Sequence, residues 1–142
     1  MRIISFSKKW DKLKQAEFTT FRFLRADKDW AIGETVQVFY KSRSPQREKL
    51  GIAKIMKKEF RAMALHGDKT GLPHVTNEEV ATDGFSDTEF KRGYFYMWEF
   101  LFDNYGGERL LREPMNKLTL RWLANQGGEN DQARRTLPSL QN

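Results

Sequence analysis

Apolar positions in the first sixty residues recur with a period of two, interrupted by short polar runs. That spacing sends successive side chains to opposite faces of a strand. Ile3, Ile4 and Phe6 predict a first strand over Arg2–Phe6. Ser7 then reads as the cap of a short helix over Lys8–Leu13. Phe18–Leu24 predicts a second strand, with Phe21 and Phe23 on one face and Thr20, Arg22 and Leu24 on the other. Ala26–Gly33 is a charged loop, and Gly33 breaks the chain just before a third strand, Glu34–Tyr40. There Val36, Val38 and Tyr40 alternate with Thr35, Gln37 and Phe39, so either Phe39 or Tyr40 faces inward. The polar run Lys41–Lys49, bent at Pro45, reads as a flexible hairpin tip whose return strand is Leu50–Phe60.

The period changes after residue 75. Ala62–Pro73 is a connector, and Thr76 with Glu79 spells a capping box for a short helix from Asn77, ended by Asp83-Gly84. Ser86 and Glu89 repeat the same start signal. Phe90, Tyr94, Met97, Trp98, Leu101 and Tyr105 then recur at spacings of three and four, the core-facing stripe of one helix. Gly106-Gly107 stops it. Met115–Leu123 predicts a closing strand, with Leu118, Leu120 and Trp122 on one face. Strands followed by helices and a closing strand make an α+β fold. Residues 1–124 read as one domain and residues 125–142, with little apolar content, as a mobile C-terminal tail.

Composition narrows the chemistry by exclusion. The 142 residues contain no cysteine, which removes disulfides, thiol nucleophiles and cysteine-based zinc sites. No apolar run approaches the roughly 18 residues of a membrane helix. The N-terminus carries no signal-peptide pattern, so a cytoplasmic protein is expected. His66 and His74 lack a metal-ligand spacing, no glycine-rich phosphate loop is present, and neither metal nor cofactor is expected.

Charge points to a class of partner. The formal net charge is +6, and residues 1–60 hold 15 Lys and Arg against 7 Asp and Glu, a local +8. Residues 76–108 hold 2 against 8, a local −6. A basic strand-rich half favours a polyanion, although an ordinary basic bias gives the same count.

Four segments, in order, resemble the ASCH domain family of the PUA-like superfamily. They are Phe18-Thr19-Thr20-Phe21-Arg22, Ile32-Gly33-Glu34-Thr35-Val36, Thr76-Asn77-Glu78-Glu79 through Asp83-Gly84-Phe85, and Lys117–Trp122. The resemblance covers about Ile3–Leu123 and implies a small, mostly antiparallel PUA-like β-barrel with flanking helices. It implies RNA or a nucleotide as partner. Some related proteins are amidohydrolases of acetylated cytidine, using a threonine, a lysine three residues before it and a downstream carboxylate. The matching threonine is Thr20 and the carboxylate is Asp83, but Glu17 stands where the lysine belongs. A carboxylate cannot supply a tunable amine. An RNA- or nucleotide-binding protein is therefore the leading expectation. The alternative is a small nucleic-acid-directed hydrolase, either a ribonuclease or an acetylcytidine amidohydrolase.

The expected contacts follow. Arg22 offers a planar fork to phosphate or a base edge, or else pairs with Asp83 or Glu99. Lys41, Arg43, Arg47 and Lys49 crowd one hairpin tip and make a phosphate clamp, or a solvated turn. Thr20, Asp83 and Glu17 are the weak catalytic candidates, and Thr20 serves equally as a plain strand former. Trp10, among Lys8, Lys9, Lys12 and Lys14, is a core residue or a base-stacking ring. The sequence leaves the oligomeric state open.

Overall fold

The computed structural model describes residues 1–64, 67–85 and 93–125. The elements run β1 (Ile3–Phe6), a 3₁₀ turn (Asp11–Lys14), β2 (Glu17–Phe23), β3 (Thr35–Tyr40) and β4 (Glu48–Arg61). Helices α1 (Asn77–Thr82), α2 (Gly93–Tyr105) and α3 (Gly107–Arg112) precede β5 (Met115–Asn125). The fold is α+β, and the five strands form one sheet in the order β1-β3-β4-β5-β2.

The expected hairpin is present: β3 and β4 pair antiparallel, with Val36 opposite Ala53. Gly33 starts it with φ at 90°, in a turn closed by the Glu34 N–H donating to the Ala31 carbonyl at 3.1 Å. A β-turn with positive φ at its third residue is where glycine has no steric penalty. The register slips between Val38 and Phe39, which face Gly51 and Lys49 and leave Leu50 as the extra residue of a bulge. There Phe39 is buried and Tyr40 half-buried.

Two expectations about regular structure are corrected. The sheet is mixed rather than mostly antiparallel, because β1 runs parallel to β3. Parallel neighbours need a long connection, and the chain between Phe6 and Thr35 supplies one by visiting β2 first. The helix expected over Lys8–Leu13 is only the 3₁₀ turn, and its N-cap is Trp10, without a side-chain bond, rather than Ser7. An isolated helix of that length is marginal in water.

Contacts divide the chain into two compact units. One holds Met1–Phe18, Ala31–Lys57 and the described residues 119–125. Its interior contains Ile4, Val36, Val38, Ile55, Leu120 and Trp122. The Trp122 ring lies 5.0 Å from that of Phe18, and its indole N–H donates to the Leu13 carbonyl at 3.0 Å. A buried indole needs such an acceptor.

The other unit holds Thr19–Trp30 and Lys58–Leu118. Phe21 and Phe23 of β2, Val80 of α1, Met97 and Leu101 of α2, Leu110 of α3 and Met115 of β5 share one core with Met63 and Val75. Helix α1 keeps both ends of its sequence signature. Thr76 Oγ1 accepts from the Glu79 N–H, and Glu79 accepts from the Thr76 N–H. At the far end Gly84 donates to Ala81 and Phe85 to Val80, with Gly84 at φ 115°. That pair of bonds is a Schellman stop, and it is the physical content of the Asp-Gly-Phe sequence.

Met97, Trp98, Leu101 and Tyr94 face inward as their spacing predicts, whereas Phe90 lies outside the described residues, as do His66 and residues 126–142. Tyr105 departs from the stripe and is exposed. Gly106, at φ 88°, ends α2, and α3 follows at once where the sequence reading stopped. Among the described residues no helix is long and apolar enough to cross a membrane.

Candidate functional site

Arg22 and Phe23 close β2, and the chain then turns through residues 24–30. Tyr105 ends α2, and Arg109 projects from α3. These residues, with Arg25 and Trp30, line an open cleft of about 570 Å³. Asp27 and Glu113 also line it, so three arginines meet two carboxylates and the lining is net basic.

Each of the two outer arginines sits on an aromatic ring. The Arg109 guanidinium carbon is 3.9 Å from the Phe23 ring centroid and 5.6 Å from that of Tyr105. Phe23 and Tyr105 meet edge to face at 4.9 Å. The Arg25 guanidinium lies 5.5 Å from the Trp30 ring. Both are tied to near neighbours in sequence: Arg25 donates from Nε and Nη2 to the two Asp27 oxygens, each at 3.1 Å. Arg109 Nε donates to Glu113 at 3.1 Å, one helical turn on.

Arg22 is deeper. Its Nε donates to Thr20 Oγ1 at 3.0 Å, which fits two residues sharing one strand face. Burial pushes the Arg22 guanidinium below its ordinary value, and electrostatic interactions with Tyr105 and Asp83 work the other way. It stays a cation, since an arginine does not deprotonate in proteins.

Asp29 fixes the loop that carries Arg25 and Trp30. Its carboxylate accepts from Lys58 Nζ at 2.7 Å, Asn116 Nδ2 at 2.9 Å and the Arg25 N–H at 3.1 Å. Burial alone would raise its pKa, but these bonds and one from the Trp30 backbone outweigh it and hold the carboxyl below its ordinary value. Lys58 also donates to the Trp30 carbonyl at 2.7 Å. Asp29→Asn should therefore cost about 2 kcal/mol in a urea titration, the penalty of leaving a half-buried ammonium without its anion. Asp27→Asn, in an exposed and solvent-screened pair, should leave the urea midpoint nearly unchanged. Equal losses for the two variants would remove Asp29 from this anchoring role.

The sequence-derived candidates fall in different places. Thr20, Arg22 and Asp83 belong to the unit that holds the cleft, where Thr20 and Asp83 are buried. The Asp83 carboxylate accepts from Thr19 Oγ1 at 3.3 Å, so the neighbour of the expected threonine makes that contact. Glu17, Lys41, Arg43, Arg47 and Lys49 belong to the other unit. Glu17 is exposed at the start of β2.

The basic tip is a hydrogen-bonded turn. Ser44 and Arg47 N–H groups donate to Lys41 and Ser44 carbonyls, and the Ser42 N–H donates to Ser5 Oγ at 3.0 Å. Lys41 itself holds φ at 44°, a conformation that costs a non-glycine residue about 1 kcal/mol. Its ammonium lies 5.4 Å from the Tyr40 ring, and Arg47 lies 4.8 Å from Phe39. Trp10 is half-buried, with Lys8 4.5 Å and Lys12 5.6 Å from its ring. His74 is engaged with the backbone: its ring nitrogens lie 2.8 Å from the Val75 carbonyl and 2.7 Å from that of Ala64.

Arg25, Trp30, Tyr105 and Arg109 escaped the sequence reading. The carboxylates two residues after Arg25 and four after Arg109 were visible, but nothing local says that the two segments share a cleft. Compared with known proteins, the chain matches no family model, no curated protein and no solved structure.

Proposed function

We propose that this chain is an RNA- or nucleotide-binding module of the PUA-like, ASCH type. The observation that carries the reading is the cleft, lined by Arg22, Arg25 and Arg109 with the exposed Tyr105 ring and the buried Phe23 and Trp30 rings. Cations supply affinity for a phosphate chain, and flat groups supply contact to bases. Arg22 contributes a cation within that cleft, while Lys41, Arg43, Arg47 and Lys49 contribute a phosphate-contacting turn of their own.

Binding of a short labelled single-stranded RNA, followed by anisotropy across a salt series, tests this. Affinity should fall linearly on a log–log plot, and Arg43→Ala with Arg47→Ala should flatten the slope by about 1.4, the loss of two phosphate contacts on a single strand. No binding at low salt, or binding indifferent to salt, rules the reading out.

A second reading, a small nucleic-acid-directed hydrolase, rests on one contact. Thr19 presents its hydroxyl to the buried Asp83 carboxylate beside Thr20, the pairing that an activated hydroxyl nucleophile needs. Release of acetate from acetylated cytidine, or cleavage of the RNA, abolished by Asp83→Ala, would favour it over simple binding.

A further inference from the structure

Arg25 and Arg109 are each partly committed to a carboxylate within the protein. A guanidinium grips phosphate through its N–H edge, in plane and bidentately. In Arg25 one of the two N–H edges, Nε with Nη2, is already given to Asp27. In Arg109 the Nε–H is given to Glu113. Each charge is balanced by a carboxylate close by in sequence, so the pairs form with or without a ligand. Each guanidinium carbon lies over an aromatic ring, that of Arg109 3.9 Å from the Phe23 centroid and that of Arg25 5.5 Å from the Trp30 centroid. Both side chains remain about two-fifths exposed, and both line the cleft. Each thus brings a planar, charge-balanced cation with a nearby aromatic ring to the cleft lining.

We propose that Arg25 and Arg109 are stacking platforms for unpaired nucleobases, which makes the cleft a reader of single-stranded rather than duplex nucleic acid. Bases stack on guanidinium planes as they do on aromatic rings. In a duplex those faces are already taken by neighbouring bases. The inference rests on the nucleic-acid reading above and specifies what within the nucleic acid the cleft contacts.

The test uses the full chain and three probes: a short single-stranded RNA, the same sequence as a duplex, and inorganic polyphosphate of matched charge. Arg109→Lys keeps the charge and removes the plane. It is expected to weaken single-stranded RNA about tenfold while leaving polyphosphate affinity and the salt slope unchanged. Arg25→Lys should act in the same direction, and wild-type protein should prefer the single strand to both other probes. Equal weakening of RNA and polyphosphate by Arg109→Lys would make the residue a phosphate contact and overturn the proposal. So would duplex or polyphosphate binding as tight as that of the single strand. If none of the probes binds the wild type, the nucleic-acid reading itself falls, an outcome distinct from both. Arg→Lys changes at these exposed positions leave the core untouched, and an unchanged urea midpoint verifies folding.

Discussion

Gly93→Ala is expected to cost about 3 kcal/mol or more and to abolish cooperative unfolding of the helical unit, because overpacking against backbone has no cheap relief. Gly93 is buried at the start of α2. A methyl group there would run into the Phe85 carbonyl oxygen, with the Phe85 carbonyl carbon at 3.1 Å and Val80 Cγ1 at 3.5 Å. The obstructing atom is backbone, so no side-chain rotation relieves the clash. Gly107→Ala is the control. Its added methyl would lie 2.6 Å from the Phe102 ring, but Phe102 is 44% exposed and can turn away. Alanine also favours the helix, so the net effect should stay within about 1 kcal/mol. Chemical denaturation of the two variants separates them, and similar midpoints would show that the Gly93 packing is softer than described.

Glu79 carries the second large effect, and it is tied to pH. Its carboxylate accepts from Lys117 Nζ at 2.8 Å and from Arg61 Nε at 3.0 Å, besides closing the capping box of α1. Burial alone would raise its pKa, but Lys117, Arg61 and the Thr76 N–H together pull it down to about 2 from an ordinary 4.5. A carboxylate depressed in the folded state adds stability above its unfolded value and loses it as pH falls through the folded one. Glu79 therefore contributes about 3 kcal/mol at neutral pH, given up between roughly pH 4.5 and 2. Glu79→Gln keeps the length and the cap but loses the charge. It should lower stability by about that amount at pH 7 and flatten the acid limb of the stability curve, as the difference from wild type shrinks toward zero near pH 2. A difference that persists at pH 2 would assign the loss to packing instead.

How much of this could be read from the chain follows from the range of the forces involved. The cap of α1 and its stop need only neighbours within six residues, so Thr76, Glu79, Asp83, Gly84 and Phe85 announce themselves. The β3–β4 hairpin is legible for the same reason, since Gly33 and the polar tip set its ends. The β1–β3 pairing is not, because period-two alternation says that a strand exists and not which neighbour it takes. Helix α3 was lost to the glycine pair at 106 and 107, which ends one helix and immediately admits another. Tyr105 has the spacing of a core residue, yet it is exposed, meets the Phe23 ring edge to face and lines the cleft. Thr19 lay beside the residue that the resemblance singled out. For Arg22 the strand position and the influence of Asp83 were legible, but the company of Tyr105 and Arg109 was not, since both lie more than eighty residues further along the chain.

The cleft has one further property. Among the described residues no histidine lines it. Its arginines hold their charge at any physiological pH. Asp27, drawn down chiefly by its bond from Arg25, titrates only at about 2. Around neutrality the surface therefore behaves as a fixed electrostatic template rather than a sensor. A ligand ending in a phosphate monoester changes its own charge near pH 6, whereas internal phosphodiesters do not. Any pH dependence of association in that range thus belongs to the guest, and its shape distinguishes a free nucleotide or phosphorylated end from the middle of a strand.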